Sequence, residues 1–231
     1  MNLANYLQCH PIELIIFDCD GVLVDSEILS KQTLLKMLSE LGANVSDEYF
    51  HRHFLGYNFE HVTAKVLADF SIVLTEDFRL AYRDALLEVF TTELKPTLEL
   101  DSLLDKLHVK SCVATSSSPA KVSHALHTTA LNEYFSGKVF TASEVKNGKP
   151  APDLFLHAAN KMGVAAEHCL VIEDSPAGIQ GAKAANMRVI RYAGASHLIH
   201  HSYHDDVHTI NHWEQLEHLI SELDPNQKVE M

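Results

Sequence analysis

The chain has 231 residues, 46% hydrophobic and 21% charged, which is enough for one large domain or for a core with a smaller inserted domain. Its 31 acidic and 18 basic residues give a formal net charge of −13. This charge repels nucleic acid and anionic membranes, so neither is an expected partner, and a phosphorylated ligand would need a local cation to overcome it.

The cysteines and the N-terminus point to an intracellular protein. Cys9, Cys19, Cys112 and Cys169 are scattered and form no C-x-x-C pair, which is typical of a reducing compartment rather than of a disulfide or zinc framework. No basic leader precedes a long apolar stretch, and no apolar run approaches the roughly 20 residues that a membrane helix requires. We therefore expect a soluble, cytoplasmic protein, and a monomer.

Five short apolar runs predict strands that are buried on both faces. They are 12–17 (IELIIF), 109–115 (VKSCVAT), 138–142 (KVFTA), 169–174 (CLVIED) and 187–192 (MRVIRY). Helical patterns lie between them, and Pro119 and Gly163 mark a helix start and a helix end. Strands that alternate with helices predict an α/β fold with a Rossmann-like parallel sheet.

The segment 27–94 breaks this alternation. Leucines recur at helical spacing before Gly42, further helical patterns cover 60–70 and 76–93, and no convincing strand is present. We expect an all-helical domain inserted after the first strand. The predicted domains are a core formed by 1–26 and 95–231 and a helical domain at 27–94.

Acidic residues follow two of the predicted strands. Asp18 and Asp20 begin the segment DCDGVLVDSE, and residues i and i+2 of an extended chain point the same way. Glu173 and Asp174 end the strand 169–174. Because ligands of open parallel sheets bind beyond the carboxyl ends of the strands, up to four carboxylates converge if these strands are neighbours.

Four converging carboxylates cannot all be ionised without a counterion. A cluster of oxygen ligands without histidine or thiolate favours Mg²⁺ over zinc. The sequence therefore predicts a magnesium site.

Two further segments suit a phosphate group. VATSSSP (113–119) ends a strand in the hydroxyls of Thr115 and Ser116 and opens a helix whose N–H groups attract anions. NGKPAPD (147–153) holds Lys149 in a restrained loop. Each feature alone has an ordinary explanation, a helix cap or a solvated lysine, and it is their ordered combination at strand ends that favours a functional site.

The segments DCDGVLVDSE, VATSSSP, KPAPD and VIEDSPAGIQGAKAANM closely resemble the motifs of the haloacid dehalogenase-like superfamily. Within it, the chain resembles phosphatases and phosphomutases that carry a helical cap after the first motif. The resemblance implies a haloacid dehalogenase-like fold and phosphoryl transfer. It also implies that Asp18 is the nucleophile that forms an aspartyl-phosphate, and that Asp20 is the general acid and then the general base.

The same resemblance assigns the remaining site residues. Mg²⁺ would be held by the Asp18 carboxylate, the Asp20 backbone carbonyl and the Asp174 carboxylate, with Glu173 in support. The phosphoryl oxygens and the nucleophile would be contacted by three further residues: Thr115, Ser116 and Lys149.

We expect a phosphatase acting on a small phosphorylated metabolite, and two alternatives stay open: a sugar phosphomutase and a non-catalytic switch. Dehalogenases of the superfamily lack the second aspartate, so Asp20 argues for phosphoryl transfer. Sugar phosphomutases carry a histidine where this chain has Ser30, which favours hydrolysis over a β-phosphoglucomutase-like reaction. A non-catalytic phospho-accepting or metal-binding switch is the second alternative. The segment DSEILSKQ resembles members that hydrolyse phosphorylated sugar acids such as 6-phosphogluconate.

Two histidine-containing segments complete the expectations. In the loop HRHFLGYN (51–58), Arg52, His53, Tyr57 and Asn58 are candidates for substrate specificity, although a solvated helix end explains the first two equally well. The histidine-rich segment 197–218 is interpreted as solvated histidines on a terminal strand and helix rather than as a metal site.

Overall fold

A six-stranded parallel sheet forms the centre of the molecule. The computed structural model describes residues 11–54, 59–198 and 201–223. Within them the strand order is β3-β2-β1-β4-β5-β6 and every neighbouring pair is parallel. The strands are β1 (Leu14–Phe17), β2 (Lys110–Thr115), β3 (Val139–Thr141), β4 (Cys169–Glu173), β5 (Arg188–Tyr192) and β6 (Thr209–Ile210). The predicted parallel α/β fold is confirmed.

Ten α-helices accompany these strands in the described residues. They are α1 (Glu27–Glu40), α2 (Asp47–His53), α3 (Phe59–Phe70), α4 (Glu76–Glu93), α5 (Leu100–Lys106), α6 (Pro119–Thr128), α7 (Asn132–Phe135), α8 (Asp153–Met162), α9 (Pro176–Ala184) and α10 (Trp213–Leu223). Among these helices none is long and apolar enough to cross a membrane. The chain divides into two compact units, one formed by the chain up to Ser26 and from Leu94 onward, the other by Glu27–Glu93.

β1 lies at the middle of the sheet and has no exposed side chain. Its four residues, Leu14–Phe17, are all 0% exposed, and β2 and β4 flank the strand in the sheet. Phe17 pairs with Val113 on one side and with Ile172 on the other. Each fully buried aliphatic or aromatic side chain of this kind stabilises the fold by about 1.5–3 kcal/mol. The residue that follows β1 is therefore fixed between the ends of two neighbouring strands.

Helix boundaries follow local rules that the sequence shows. The side chain of Ser118 caps α6 by accepting from the backbone N–H of Lys121, and Pro119 is the first helical residue. Gly163 ends α8 in the left-handed conformation, at φ +68°. The Ser118 cap lies in the loop between β2 and α6, at the carboxyl edge of the sheet.

The unit formed by Glu27–Glu93 has its own apolar core. Helices α1 and α4 pack together, and Leu38, Val66 and Phe90 are 0% exposed. The hydroxyl of Tyr82 donates to the backbone carbonyl of Ser30, 3.2 Å away. All described residues of this unit that belong to regular structure are helical.

The two connections to this unit lie side by side in the core. The backbone N–H of Asp25 donates to the carbonyl of Lys95 at 3.0 Å, and Thr97 bonds to Leu23 through its backbone and to Val22 through its hydroxyl, at 3.0 and 2.7 Å. The chain therefore leaves the core and returns to it at neighbouring positions.

Candidate active site

The acidic ends of β1 and β4 meet at one edge of the sheet. The backbone N–H of Asp18 donates to the carbonyl of Ile172 at 2.9 Å, which ties the end of β1 to β4. One carboxylate oxygen each from Asp18, Glu173 and Asp174 lie within 4.8 Å of one another. The structure thus brings three of the four predicted acidic side chains together.

Lys149 inserts its ammonium group into this cluster. Its Nζ lies 2.6 Å from Asp18 Oδ1, 2.6 Å from Glu173 Oε1 and 2.9 Å from the carbonyl oxygen of Ala114. The three partners satisfy all three ammonium protons, and only 4% of the lysine side chain is exposed. Lys149 is therefore a fixed, buried cation and not a solvated loop lysine.

Burial and mutual repulsion shape the charges of the cluster. Burial raises the pKa of Asp18 well above its usual range; Lys149 opposes this rise, and the nearby Glu173 and Asp174 carboxylates add to it. For Lys149, burial would lower the pKa, but the two carboxylates outweigh burial and raise it. With all groups ionised, three carboxylates face one ammonium, and the excess of two negative charges matches a divalent cation. The donor set of carboxylate oxygens fits such an ion.

The Glu173 carboxylate accepts hydrogen bonds from Lys149 and from the loop that follows β4. Its Oε1 accepts from Lys149, and its Oε2 accepts from the backbone N–H and the hydroxyl of Ser175, both at 2.9 Å. Because both oxygens are engaged, Glu173 orients the lysine, while Asp18 and Asp174 are the better placed to hold a metal ion. The supporting role of Glu173 at a metal ion stays a prediction.

Asp20 lies apart from the acidic cluster and has partners of its own. Its Oδ1 is 2.6 Å from the hydroxyl of Ser26 and 2.9 Å from Lys121 Nζ, and its Oδ2 accepts a short hydrogen bond from the hydroxyl of Ser117. Burial would raise the pKa of Asp20, but Lys121 and the two hydroxyls together lower it. Sequence reasoning missed all three of these partners.

The predicted phosphate-binding residues lie at the end of β2, beside β1. Thr115 is 1% exposed, and its hydroxyl oxygen accepts from the backbone N–H of Ser117 at 3.0 Å. Ser116 is exposed at the surface next to it. Both residues precede α6, so the loop that contains them is adjacent to Asp18 at the same edge.

His197 is a further residue of the site that the sequence interpretation missed. Its Nε2 lies 3.4 Å from Asp174 Oδ2, and each of the two side chains is only 9% exposed. Gly21, at φ +77°, makes room for this pair, because a Cβ there would lie 2.1 Å from Asp174 Oδ2 and 3.0 Å from the His197 ring. The expectation of solvated histidines along 197–218 is therefore wrong for His197, since the loop after β5 folds back onto the site.

Four other histidines of that segment are exposed, as expected, whereas His208 is half-buried and His200 lies outside the described residues. The exposed histidines are His201, His204, His212 and His218. Trp213, at the start of α10, is 1% exposed and stacks on Tyr192 with ring centroids 4.1 Å apart.

The specificity candidates belong to the helical unit. Arg52 pairs with Glu48 within α2 at 2.6 Å, and the His53 ring lies 4.5 Å from that of Tyr49. Tyr57 and Asn58 lie outside the described residues. A role of all four in substrate choice stays a prediction.

Comparison with known proteins identifies the family. A profile of the haloacid dehalogenase-like hydrolases matches residues 15–192. The chain therefore belongs to the haloacid dehalogenase-like hydrolases, as its motifs predict.

Individual relatives narrow the class. The chain is 30% identical over 209 residues to the 6-phosphogluconate phosphatase of Escherichia coli K12, covering 90% of this chain and 94% of that protein. It is 28% identical over 183 residues to the phosphorylated carbohydrates phosphatase of Thermotoga maritima, covering 78% and 84%. A solved family hydrolase from Deinococcus radiodurans R1, with bound phosphate and sodium, superposes with a TM-score of 0.75 at 25% identity, covering 92% and 96%. The predicted enzyme class, a phosphatase, is confirmed.

Proposed function

We propose that the protein is a Mg²⁺-dependent phosphatase that hydrolyses a small sugar phosphate or phosphorylated sugar acid through an aspartyl-phosphate on Asp18. The observation that carries this proposal is the buried contact of Asp18 with Lys149 at the end of β1, with Asp174 adjacent. A carboxylate held by a lysine in a nearly closed acidic cluster is oriented for attack on phosphorus. An isolated surface aspartate would not be.

In the first step an Asp18 carboxylate oxygen forms a bond to phosphorus and the bond from phosphorus to the substrate oxygen breaks. Asp20 gives a proton to that leaving oxygen. Since its contacts lower the pKa of Asp20 in the protein without substrate, this role requires Asp20 to take up a proton when the anionic substrate binds. Lys149 keeps the nucleophile in place and offsets the negative charge of the arriving phosphoryl group. Thr115 and the backbone amide of Ser116 hold the phosphoryl oxygens.

In the second step water attacks the phosphorus of the aspartyl-phosphate. Asp20, now ionised, takes a proton from the water, and the bond between phosphorus and Asp18 breaks to release inorganic phosphate. Asp18 and Asp174, with the backbone carbonyl of Asp20, are the groups proposed to hold Mg²⁺, which when bound neutralises charge on the phosphoryl oxygens.

The substrate class rests on the relatives. Two of them are named for 6-phosphogluconate and for phosphorylated carbohydrates, and both alignments cover most of this chain. Arg52, His53, Tyr57 and Asn58 are proposed to contact the part of the substrate that is not phosphate. Hydroxyl and carboxylate groups of a sugar acid suit such polar side chains.

The test is release of inorganic phosphate from a panel of sugar phosphates, phosphorylated sugar acids and nucleotides, with Mg²⁺ and with EDTA. Asp18→Asn removes the nucleophile at unchanged size, so turnover should fall to background. Because it also removes one carboxylate partner of Lys149, the urea unfolding midpoint is measured alongside to show that the variant is still folded. Asp105→Asn is the matched control. Asp105 is exposed, and its side chain accepts a hydrogen bond from the hydroxyl of Tyr134, away from the acidic cluster.

Three results would contradict the proposal. Asp18→Asn with nearly normal turnover would remove Asp18 as nucleophile. Interconversion of isomeric sugar phosphates without phosphate release would identify a mutase. A stable phosphorylated Asp18 without turnover would identify a switch.

A further inference from the structure

We propose that Ser117 and Lys121 are positioning residues that hold the Asp20 carboxylate in the orientation needed for proton transfer to the leaving group. This inference rests on the proposed function, because it assigns partners to the group that is proposed to move the proton. Neither residue belongs to the acidic cluster around Asp18.

The contacts fix both oxygens of the carboxylate. Ser117 donates to Oδ2, while Lys121 lies 2.9 Å from Oδ1 and Ser26 donates to Oδ1 at 2.6 Å. A carboxylate bonded at one oxygen can still turn about its Cβ–Cγ bond. One bonded at both oxygens cannot turn without breaking a contact. Such fixed orientation is what proximity catalysis requires of a group that transfers a proton.

The partners come from elements that are themselves fixed. The backbone N–H of Ser117 donates to the buried hydroxyl oxygen of Thr115, so the loop between β2 and α6 is held at its base. Lys121 stands in the first turn of α6. The segment between β2 and α6 therefore connects Thr115, which is proposed to bind phosphate, to Asp20, which is proposed to transfer the proton.

The cap of helix α6 does not use the side chain of Lys121. Helix α6 has a separate cap, since the hydroxyl of Ser118 accepts from the Lys121 backbone N–H at 3.4 Å. The lysine side chain is 26% exposed and the Asp20 side chain 16% exposed, so the pair borders the solvent-accessible part of the site. Removal of the ammonium group should therefore affect Asp20 more than the helix.

Substrates with different leaving groups can distinguish a positioning role of Ser117 and Lys121 from a role in phosphate binding. A sugar hydroxyl leaves as a strongly basic oxygen and needs a proton, whereas p-nitrophenolate leaves readily without one. Loss of phosphate binding would slow both substrates equally, because both carry the same phosphoryl group. Loss of a correctly oriented proton donor would slow the sugar phosphate selectively.

The experiment compares kcat/KM for the best alkyl phosphate of the substrate panel with kcat/KM for p-nitrophenyl phosphate. This parameter reports the steps up to departure of the leaving group. For Lys121→Met and Ser117→Ala, kcat/KM for the alkyl phosphate should fall about tenfold or more, while that for p-nitrophenyl phosphate should fall by less than about threefold. Lys121→Arg and Ser117→Thr, which keep the cation and the hydroxyl, should recover most of the loss.

Ser118→Ala is the structural control, since it weakens the start of α6 without touching Asp20. An equal loss for both substrates, no loss at all, or the same selective loss in Ser118→Ala would overturn the inference. Failure of the proposed function looks different. In that case no alkyl phosphate turns over, or Asp20→Asn itself slows both substrates to the same extent.

Discussion

Substitution of Gly178 by alanine should have two opposite effects on the free energy of unfolding, and their magnitudes can be compared. Gly178 is a buried residue near the start of α9, where alanine is favoured over glycine by about 1 kcal/mol of helix propensity. A Cβ at this position would lie 1.7 Å from Glu173 Oε1 and 1.9 Å from Glu173 Cδ, whereas real Cβ contacts are not shorter than 3.0 Å. The Glu173 carboxylate must therefore move by more than 1 Å.

That displacement breaks a buried ion pair. Glu173 is 0% exposed, and its Oε1 lies 2.6 Å from Lys149 Nζ. Breaking a buried pair costs about 3–5 kcal/mol, so after the propensity gain Gly178→Ala should lower the free energy of unfolding by about 2–4 kcal/mol. The cost of the clash is expected to exceed the gain in helix propensity.

Urea unfolding in EDTA, followed by fluorescence of Trp213, measures the effect without stabilisation by bound metal. In a Glu173→Ala background the obstacle is gone, so Gly178→Ala should become neutral or stabilising. Gly148→Ala is a matched control, because the nearest atom to its Cβ would be 3.6 Å away. Stabilisation of the wild type by Gly178→Ala, or equal destabilisation in both backgrounds, would refute this reasoning.

Two other predictions concern the core away from the acidic cluster. Thr97→Val should lower the free energy of unfolding by about 2–4 kcal/mol, because it leaves the Val22 carbonyl and the buried Trp213 indole N–H without the Thr97 hydroxyl; Thr97→Ser should retain stability in the same urea experiment. Asp205 pairs with the buried Arg191, whose hydrogen bonds lower the pKa of Asp205 to about 2. A lowered folded-state pKa gives stability that is present above about pH 4 and is lost as the pH falls toward 2. Because Asp205 is 46% exposed, the deficit of Asp205→Asn should be only about 1 kcal/mol at pH 6 and should vanish at pH 2; a deficit independent of pH would contradict this.

The sheet was largely predictable because its signals are local. The five apolar runs coincide with β1 to β5, and Pro119 and Gly163 mark a helix start and a helix end where the structure has them. Burial on both faces leaves a continuous apolar run in the sequence, and caps have narrow residue preferences. The two-residue strand β6 carries no comparable signal.

The site was predictable in its residues but not in its contacts. The positions at the ends of predicted strands identify four acidic residues: Asp18, Asp20, Glu173 and Asp174. The sequence alone does not predict that β4 lies next to β1. Two of the three partners of Asp20, Ser117 and Lys121, come from a segment about 97 residues away, and a serine or lysine after a strand has many ordinary explanations.

His197 shows what the strand-end rule can still find. It follows β5 by five residues, at the same edge as Asp18, and this position was a usable signal. The high density of histidines in 197–218 concealed it, because composition alone makes all of them look alike.

The paired connections around Asp25 and Lys95 make the helical unit an insertion that leaves the order of the sheet strands unchanged. Since the chain departs and returns at adjacent points, a change in the length of residues 27–93 would not require any strand of the sheet to be rerouted. The position of Asp18 at the end of β1 is thus set by the sheet and not by the length of the insertion.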